Sequence, residues 1–489
     1  MALSEKDLLA TVPTGLFIDG KWVQGSGEGQ ISVEDPATGK VLLEIANATS
    51  KDALAALAAA DAAQESWAKT APRVRGEILR KTFELVRERA EDFATLISLE
   101  MGKPIAEARG EVAYGNEFLR WFSEEAVRIS GRYGTSPEGT GRMLVAQRPV
   151  GPAFAITPWN FPLAMATRKI GPALAAGCTI VVKPAELTPL TTLLLVKTLK
   201  EAGLPDGVVN VITTNTSAAT SGPVIADPRL RKITFTGSTQ VGRKLLEQSA
   251  QRILRTSMEL GGNAPFLVFD DADLEAAVNG AMLAKMRNIG QACTAANRFI
   301  VHESVVDEFA ARMADRMGAL VAGRGVDPAT TVGPVINEKA RQNLKRLVDA
   351  TVAEGGDLVV GGEYGSGDGY FFKPTVLTNV RPGSTILGEE IFGPVAPITA
   401  FKTEDEAVRL ANDTEYGLVS YAFTEDLKRG LRLIERLDTG MTGLNTGLVS
   451  NAAAPFGGVK ESGMGREGGL EGIHEYLETK YVMIPDPQA

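Results

Sequence analysis

Between residues 153 and 250 short apolar runs alternate with amphipathic helical patterns, and this alternation narrows what the chain can fold into more than any other feature. The runs 153–157, 179–183, 208–212 and 232–236 read as strands. Helices are expected from about Leu163, over 190–202, near Ser217 and over 240–250. Strands that alternate with helices predict an α/β fold with a parallel doubly wound sheet. Ligands of such sheets bind beyond the carboxyl ends of the strands. Three of those ends carry suggestive residues: Thr157-Pro158-Trp159-Asn160, Lys183-Pro184-Ala185-Glu186, and Thr236-Gly237-Ser238 running on to Gly242.

The alternation resumes after Gly262, with strands expected over 265–269, 298–302, 357–360, 394–401 and 419–423 and helices over 274–288, 305–321, 338–354 and 404–412. No low-complexity linker separates the two units, so two packed lobes with a cleft between them are expected. Ahead of them, Ser50 can cap a helix over 51–67, and helical patterns over 73–100 and 104–129 would complete a cover for the first sheet. The glycine-rich stretch 131–141 leads into an extended arm over 143–150, which either meets another subunit or is a surface hairpin. Residues 480–484 alternate like an edge strand that could pair with it.

A chain of 489 residues supports two or three folding units. A net charge of −9 argues against a nucleic-acid or anionic-membrane footprint, and leaves an anionic substrate dependent on local arginines. Cys178 and Cys293, the only cysteines, cannot build a disulfide framework and lack the paired spacing of a zinc site, which points to a reducing compartment. Glu5, Lys6 and Asp7 stand where a signal peptide would need an apolar run, so a cytoplasmic protein is expected. The most apolar region, 170–196, is interrupted by Pro172, Lys183, Pro184, Glu186 and Pro189 and is not a membrane span.

The stretch Met258-Glu259-Leu260-Gly261-Gly262-Asn263, continued to Gly290-Gln291-Ala292-Cys293, carries a carboxylate at one end and a thiol at the other. A cysteine attacks a carbonyl as thiolate, so something must take its proton. With only His302 and His474 in the chain, Glu259 is the candidate base. Read alone, such a pair is more often a small buried cysteine and a strand-ending glutamate. Asn160, between Trp159 and Phe161, is placed to donate a hydrogen bond inside a dry site, worth ~10²–10³ in rate when aimed at an oxyanion. Lys183 and Glu186 can reach a nucleotide's ribose or phosphate, and a carboxylate there favours NAD over NADP. The glycines from Gly237 to Gly242 surround a helix start suited to phosphate, without forming the usual dinucleotide fingerprint.

In order along the chain, 157–162, 183–186, 235–238, 259–262, 290–293, Glu389-Glu390-Ile391-Phe392-Gly393-Pro394 and 455–458 resemble the motifs of the aldehyde dehydrogenase superfamily. The resemblance covers nearly the whole chain. It implies a Rossmann-type cofactor lobe (1–126 and 147–258), an α/β catalytic lobe (259–445) and a β oligomerisation arm (127–146 and 471–489). It further implies Cys293 as nucleophile, Glu259 as general base, and Asn160 with the Cys293 amide as oxyanion hole. Trp159, Lys183, Glu186, Gly237, Ser238, Leu260, Glu390 and Phe392 would serve NAD, with NADP also possible, and no metal is required. Homodimers or homotetramers are the family's habit.

Within the superfamily, 157–169 and 285–291 resemble the succinate-semialdehyde dehydrogenases, which implies that Arg168, Arg287 and Ser450 grip the far carboxylate of a semialdehyde substrate. Arginine suits that task because its planar fork donates two parallel hydrogen bonds. Without the resemblance both arginines would read as surface residues on helices. The sequence after the nucleophile is Thr294-Ala295, so the second cysteine that some relatives use for a redox-sensitive disulfide is missing. Competing readings are a glutarate or 2-oxoglutarate semialdehyde dehydrogenase, an acylating enzyme that would not need Glu259, and a catalytically silent structural or binding protein on the same fold.

Overall fold

The four expected strands of the first unit are joined by a fifth to form the parallel middle of an eight-stranded sheet in a computed structural model that describes residues 3–486. Residues 1–2 and 487–489, the outermost parts of the expected segments 1–126 and 471–489, lie outside the described residues. The parallel strands run in the order Val209–Val211, Ile180–Lys183, Ala153–Ile156, Lys232–Thr236, Arg255–Glu259. The order reverses between Ala153–Ile156 and Lys232–Thr236, where a crevice opens at the carboxyl ends. An antiparallel hairpin, Leu16–Ile18 with Lys21–Val23, closes one edge of this sheet, and Gly463–Met464 closes the other.

All fifteen residues of the helix Pro162–Ala176 are buried, because it lies between this sheet and the helical cover. Charges on such a helix must find partners inside the protein. The cover departs from expectation in two places. The helix expected over 73–100 is two, Pro72–Glu88 and Ala90–Met101, broken at Arg89 (φ −106°, ψ 23°), whose side chain reaches Glu201. The helix Ser50–Lys69 is capped by Thr49 and not by Ser50: the Thr49 hydroxyl accepts from Lys51 N–H at 3.2 Å, while Asp52 accepts from Thr49 N–H at 2.9 Å.

The second unit is a seven-stranded sheet in the order Asp357–Val360, Thr375–Thr378, Val395–Phe401, Ala296–His302, Ala264–Val268, Val419–Phe423, Met441–Leu444. Only Asp357–Val360 runs antiparallel. Thr375–Thr378 and Met441–Leu444 were not expected from the sequence. The chain passes from the first sheet to the second in residues 260–263. Ser462 fastens this crossing: its carbonyl accepts from Leu260 N–H at 3.0 Å and its hydroxyl donates to the Gly261 carbonyl at 2.7 Å. The expected arm is present as a three-stranded antiparallel sheet, Arg132–Thr135, Gly141–Pro149 and Leu477–Pro485, with Lys480 opposite Ala146. Its strands are longer than the patterns over 143–150 and 480–484 suggested at their outer ends.

Candidate active site

The helix Leu274–Met286 does not continue to Asn288 as its pattern suggests. Asn288, Ile289 and Gly290 instead take left-handed conformations, with φ of 55°, 60° and 73°. Such backbone costs about 1–2 kcal/mol per non-glycine residue and is a true outlier for β-branched isoleucine, so contacts must hold it. The Glu107 carboxylate accepts the Asn288 N–H. The Asn288 side chain donates to the carbonyls of Asn160 at 3.0 Å and Gln291 at 2.8 Å. Arg287 stands on one side of this turn and Cys293 on the other, both facing a cavity of about 230 Å³.

That cavity is lined by Asn160, Arg168, Arg287, Cys293 and Ser450 together with Trp159, Gly237, Ser238, Leu260, Glu390 and Phe392. Tyr114, Phe161, Met165 and Phe456 supply apolar wall. The site therefore gathers residues from both lobes and from the loop after Leu444. His302 and His474 are not part of it.

Cys293 is half-buried, and burial pushes its thiol up to about 12, with Arg168 pulling it down and Glu390 and Glu259 adding to the rise. It is a thiol at neutral pH unless a base takes the proton. Glu259 ends the strand Arg255–Glu259 and is buried with both carboxylate oxygens unpartnered. Burial first and then repulsion from Glu467 hold its carboxyl well above the usual carboxylate range, against the pull of Arg168 and Lys169. It does not line the cavity itself; its neighbours Leu260 and Gly261 do. Asn160 donates from Nδ2 to the Gln291 carbonyl at 3.0 Å, which leaves its second N–H, while Oδ1 is buried without a partner.

Neither arginine is the surface residue that a plain helical reading gives. Arg168 is buried, its Nε 2.5 Å from Glu467 Oε2 and its guanidinium 4.1 Å from the centre of the Phe456 ring, while Nη2 has no hydrogen-bond partner. Lys169 lies on the other Glu467 oxygen at 2.5 Å. Glu467 thus balances two buried cations. The sequence reading missed it, and no period or motif pointed to it. Arg287 donates to the Ser450 hydroxyl and, among the described residues, forms no ion pair within 4.0 Å.

Toward the first lobe the arrangement fits a dinucleotide. Ser238 is the N-cap of the helix Thr239–Ala250 and makes no side-chain cap bond, so the first-turn N–H groups remain free for phosphate. A Cβ on Gly237 would stand 2.4 Å from Phe235 Cζ, and one on Gly242 2.5 Å from Leu260. Glu390 accepts the Gly262 N–H on Oε1 at 3.1 Å, and burial raises its carboxyl to about 7. Trp159 and Phe392 meet edge to face at 5.5 Å. Lys183 and Glu186 lie outside this cavity, at the end of Ile180–Lys183. Lys183 is buried, its ammonium donating to the Pro184 carbonyl at 3.1 Å, and burial lowers its pKa; Glu186 is exposed.

The sequence profile of the aldehyde dehydrogenase family matches residues 22–482. A succinate-semialdehyde dehydrogenase of Paenarthrobacter nicotinovorans is 62% identical over 91% of this chain and 99% of its own. A glutarate-semialdehyde dehydrogenase of Pseudomonas aeruginosa is 45% identical over 96% of this chain and 97% of its own. The crystal structure of betaine aldehyde dehydrogenase from Staphylococcus aureus in complex with NAD+ superposes with a TM-score of 0.96 at 34% identity, covering 99% of this chain and 98% of that one.

Proposed function

The chain belongs to the aldehyde dehydrogenase family, which oxidises aldehydes to acids with NAD(P), and from that premise we propose that its substrate is succinic semialdehyde and its product succinate. The observation that carries this reading is Arg287, a cation facing the cavity with a neutral hydroxyl as its hydrogen-bond partner. A substrate carboxylate would complete it, with the free Nη2 of Arg168 as a second donor.

The chemistry then follows from the residues. Glu259 takes the Cys293 proton, and the thiolate adds to the aldehyde carbon. Asn160 gives its remaining N–H to the oxyanion of the hemithioacetal. When bound, a nicotinamide dinucleotide supplies the acceptor for the hydride that leaves this carbon. A thioester remains on Cys293; Glu259 gives the first proton up to solvent, then takes one from the water that attacks the thioester carbonyl, and collapse of the adduct releases the acid and the Cys293 thiolate, which Glu259 reprotonates. The helix start at Ser238 would hold the pyrophosphate, Glu390 the nicotinamide ribose and Glu186 the adenosine ribose. Gly237, Leu260, Trp159 and Phe392 would flank the dinucleotide, with Lys183 beside Glu186. The negative charge of Glu186 favours NAD over NADP.

In this reading residues 1–126 and 147–258 form the cofactor domain, 259–445 the catalytic domain, and 127–146 with 471–489 an arm that joins subunits of a cytoplasmic homodimer or homotetramer. Exposed Tyr133 (64%) and Tyr481 (56%) on the arm support that role. Relative kcat/KM values for succinic, glutaric and 2-oxoglutaric semialdehydes, each with NAD and NADP, test the proposal. A preference for either longer acid would replace the substrate assignment. Glu259→Gln should give slow turnover, with a burst of NADH where the thiolate forms by another route, and normal steady-state turnover would remove Glu259 as the base.

A further inference from the structure

The left-handed turn at residues 288–290 separates the group that would anchor the substrate from the group that would attack it. Cys293 has anchors outside this turn in addition to the bond from the Asn288 side chain to the Gln291 carbonyl. The Cys293 carbonyl oxygen packs closely on Gly262, 2.4 Å from the position of a Cβ there, the Thr294 carbonyl accepts from the Tyr421 hydroxyl at 2.8 Å, and the Gln291 carbonyl accepts also from the Asn160 amide at 3.0 Å. The Arg287 side is held differently. Glu107, in the first turn of the helix Ile105–Glu125, sends its carboxylate across to the Asn288 N–H, next in sequence to Arg287. A left-handed asparagine followed by a left-handed isoleucine does not persist on local preference, so the bonds from outside the turn determine it.

We propose that Glu107 is a specificity-positioning residue: by accepting the Asn288 N–H it fixes the turn, and so fixes where the Arg287 guanidinium stands relative to the Cys293 thiol. This deepens, and rests on, the assignment of Arg287 to the substrate carboxylate. The consequence is selective. An aldehyde with a distal carboxylate must span the two groups, whereas an uncharged aldehyde of similar length engages only the thiol end.

The test uses the full chain and two variants that separate hydrogen bonding from charge. Glu107→Gln keeps an oxygen at the right reach but loses the charge; Glu107→Asp keeps the charge but falls one methylene short. For Glu107→Asp, kcat/KM for succinic semialdehyde should fall on the order of tenfold, mainly through KM, as expected for the loss of one hydrogen bond. Butanal should stay within about twofold, as should Glu107→Gln with both aldehydes. Equal losses for the two aldehydes in Glu107→Asp, no change in it, or a loss in Glu107→Gln matching that in Glu107→Asp would each overturn the proposal. Arg287→Ala, measured alongside, separates the two levels: if it lowers both aldehydes equally, the anchor assignment fails; if it is selective and Glu107→Asp is not, only the role of Glu107 fails.

Discussion

Arg287 donates from Nη1 to the Ser450 hydroxyl across 3.2 Å, joining the end of a helix to a loop 163 residues further along the chain. Its guanidinium also lies 5.0 Å from the Phe161 ring centre and 5.7 Å from that of Tyr114, so the cation is held by aromatic faces while its remaining N–H groups stay available. Replacing Arg287 with alanine should lower kcat/KM for succinic semialdehyde by roughly 10- to 150-fold, the equivalent of about 1.5–3 kcal/mol for charge-assisted hydrogen bonds. Ser450→Ala should cost less, because the arginine remains. Butanal kinetics in the same preparations provide the control, and parallel losses would assign both residues to folding.

Glu467 sits between Arg168 and Lys169, with Glu259 close enough to feel all three. The carboxylates and cations facing Glu259 are Glu467 and Arg466 from the C-terminal loop, and Arg168 and Lys169 from the helix Pro162–Ala176. In Glu467→Gln one repelling anion is gone and two cations lose their counter-charge, and both changes favour ionised Glu259. The pH at which thioester hydrolysis accelerates should therefore move down. Stopped-flow rates of the slow phase across pH measure this directly. Two buried cations without a partner should also lower Tm, consistent with a cost of about 3–5 kcal/mol for breaking a buried pair.

A thiol pushed up to about 12 predicts slow alkylation of the free enzyme. Below that pKa the thiolate fraction rises about tenfold per pH unit, so the iodoacetamide rate at Cys293 should still be climbing above pH 9. Arg168→Met should slow it further at any fixed pH, since Arg168 is the leading charge that favours the thiolate. Mass spectrometry of the Cys293 peptide checks the rate, and buried Cys178 serves as the unreactive internal reference.

Glu186→Ser should raise kcat/KM with NADP relative to NAD by removing a negative charge from the place where the extra phosphate would lie. The exposure of Glu186 limits the effect through screening, so the ratio should shift most at low ionic strength. An unchanged ratio would leave cofactor choice to other residues.

How far the sequence foretold these features depends on whether the determining contact is local. Most strands of both sheets were legible because they are apolar runs bounded by turns, whereas Arg255–Glu259 has too few apolar residues to announce itself; Glu259 ends that strand, and Asn160 and Cys293 lie in connections between elements. Arg287 and Ser450 entered through resemblance alone, since nothing in their spacing announces a bond across 163 residues. Glu467 was invisible for the same reason: a glutamate among glycines shows no sign of two cations on a distant helix. The turn at Asn288 and Ile289 runs against residue preference, because Glu107 and Asn160 supply the bonds that hold it. The break at Arg89 escaped notice because neither glycine nor proline marks it.

The crossing between the sheets has a mechanical consequence. At Gly262 the position of an added Cβ lies 2.4 Å from the Cys293 carbonyl oxygen, where ordinary contact begins at 3.4 Å, so a single methyl group would have to push the Cys293 loop away from the crossing by up to about 1 Å. Catalytic groups tolerate only ~0.5 Å of such error. Position 262 therefore works as the gauge that sets where the Cys293 loop stands against the crossing, and its tolerance is that of a reaction and not of a fold: a chain altered there could keep every strand and helix in place and still hold its thiol out of line.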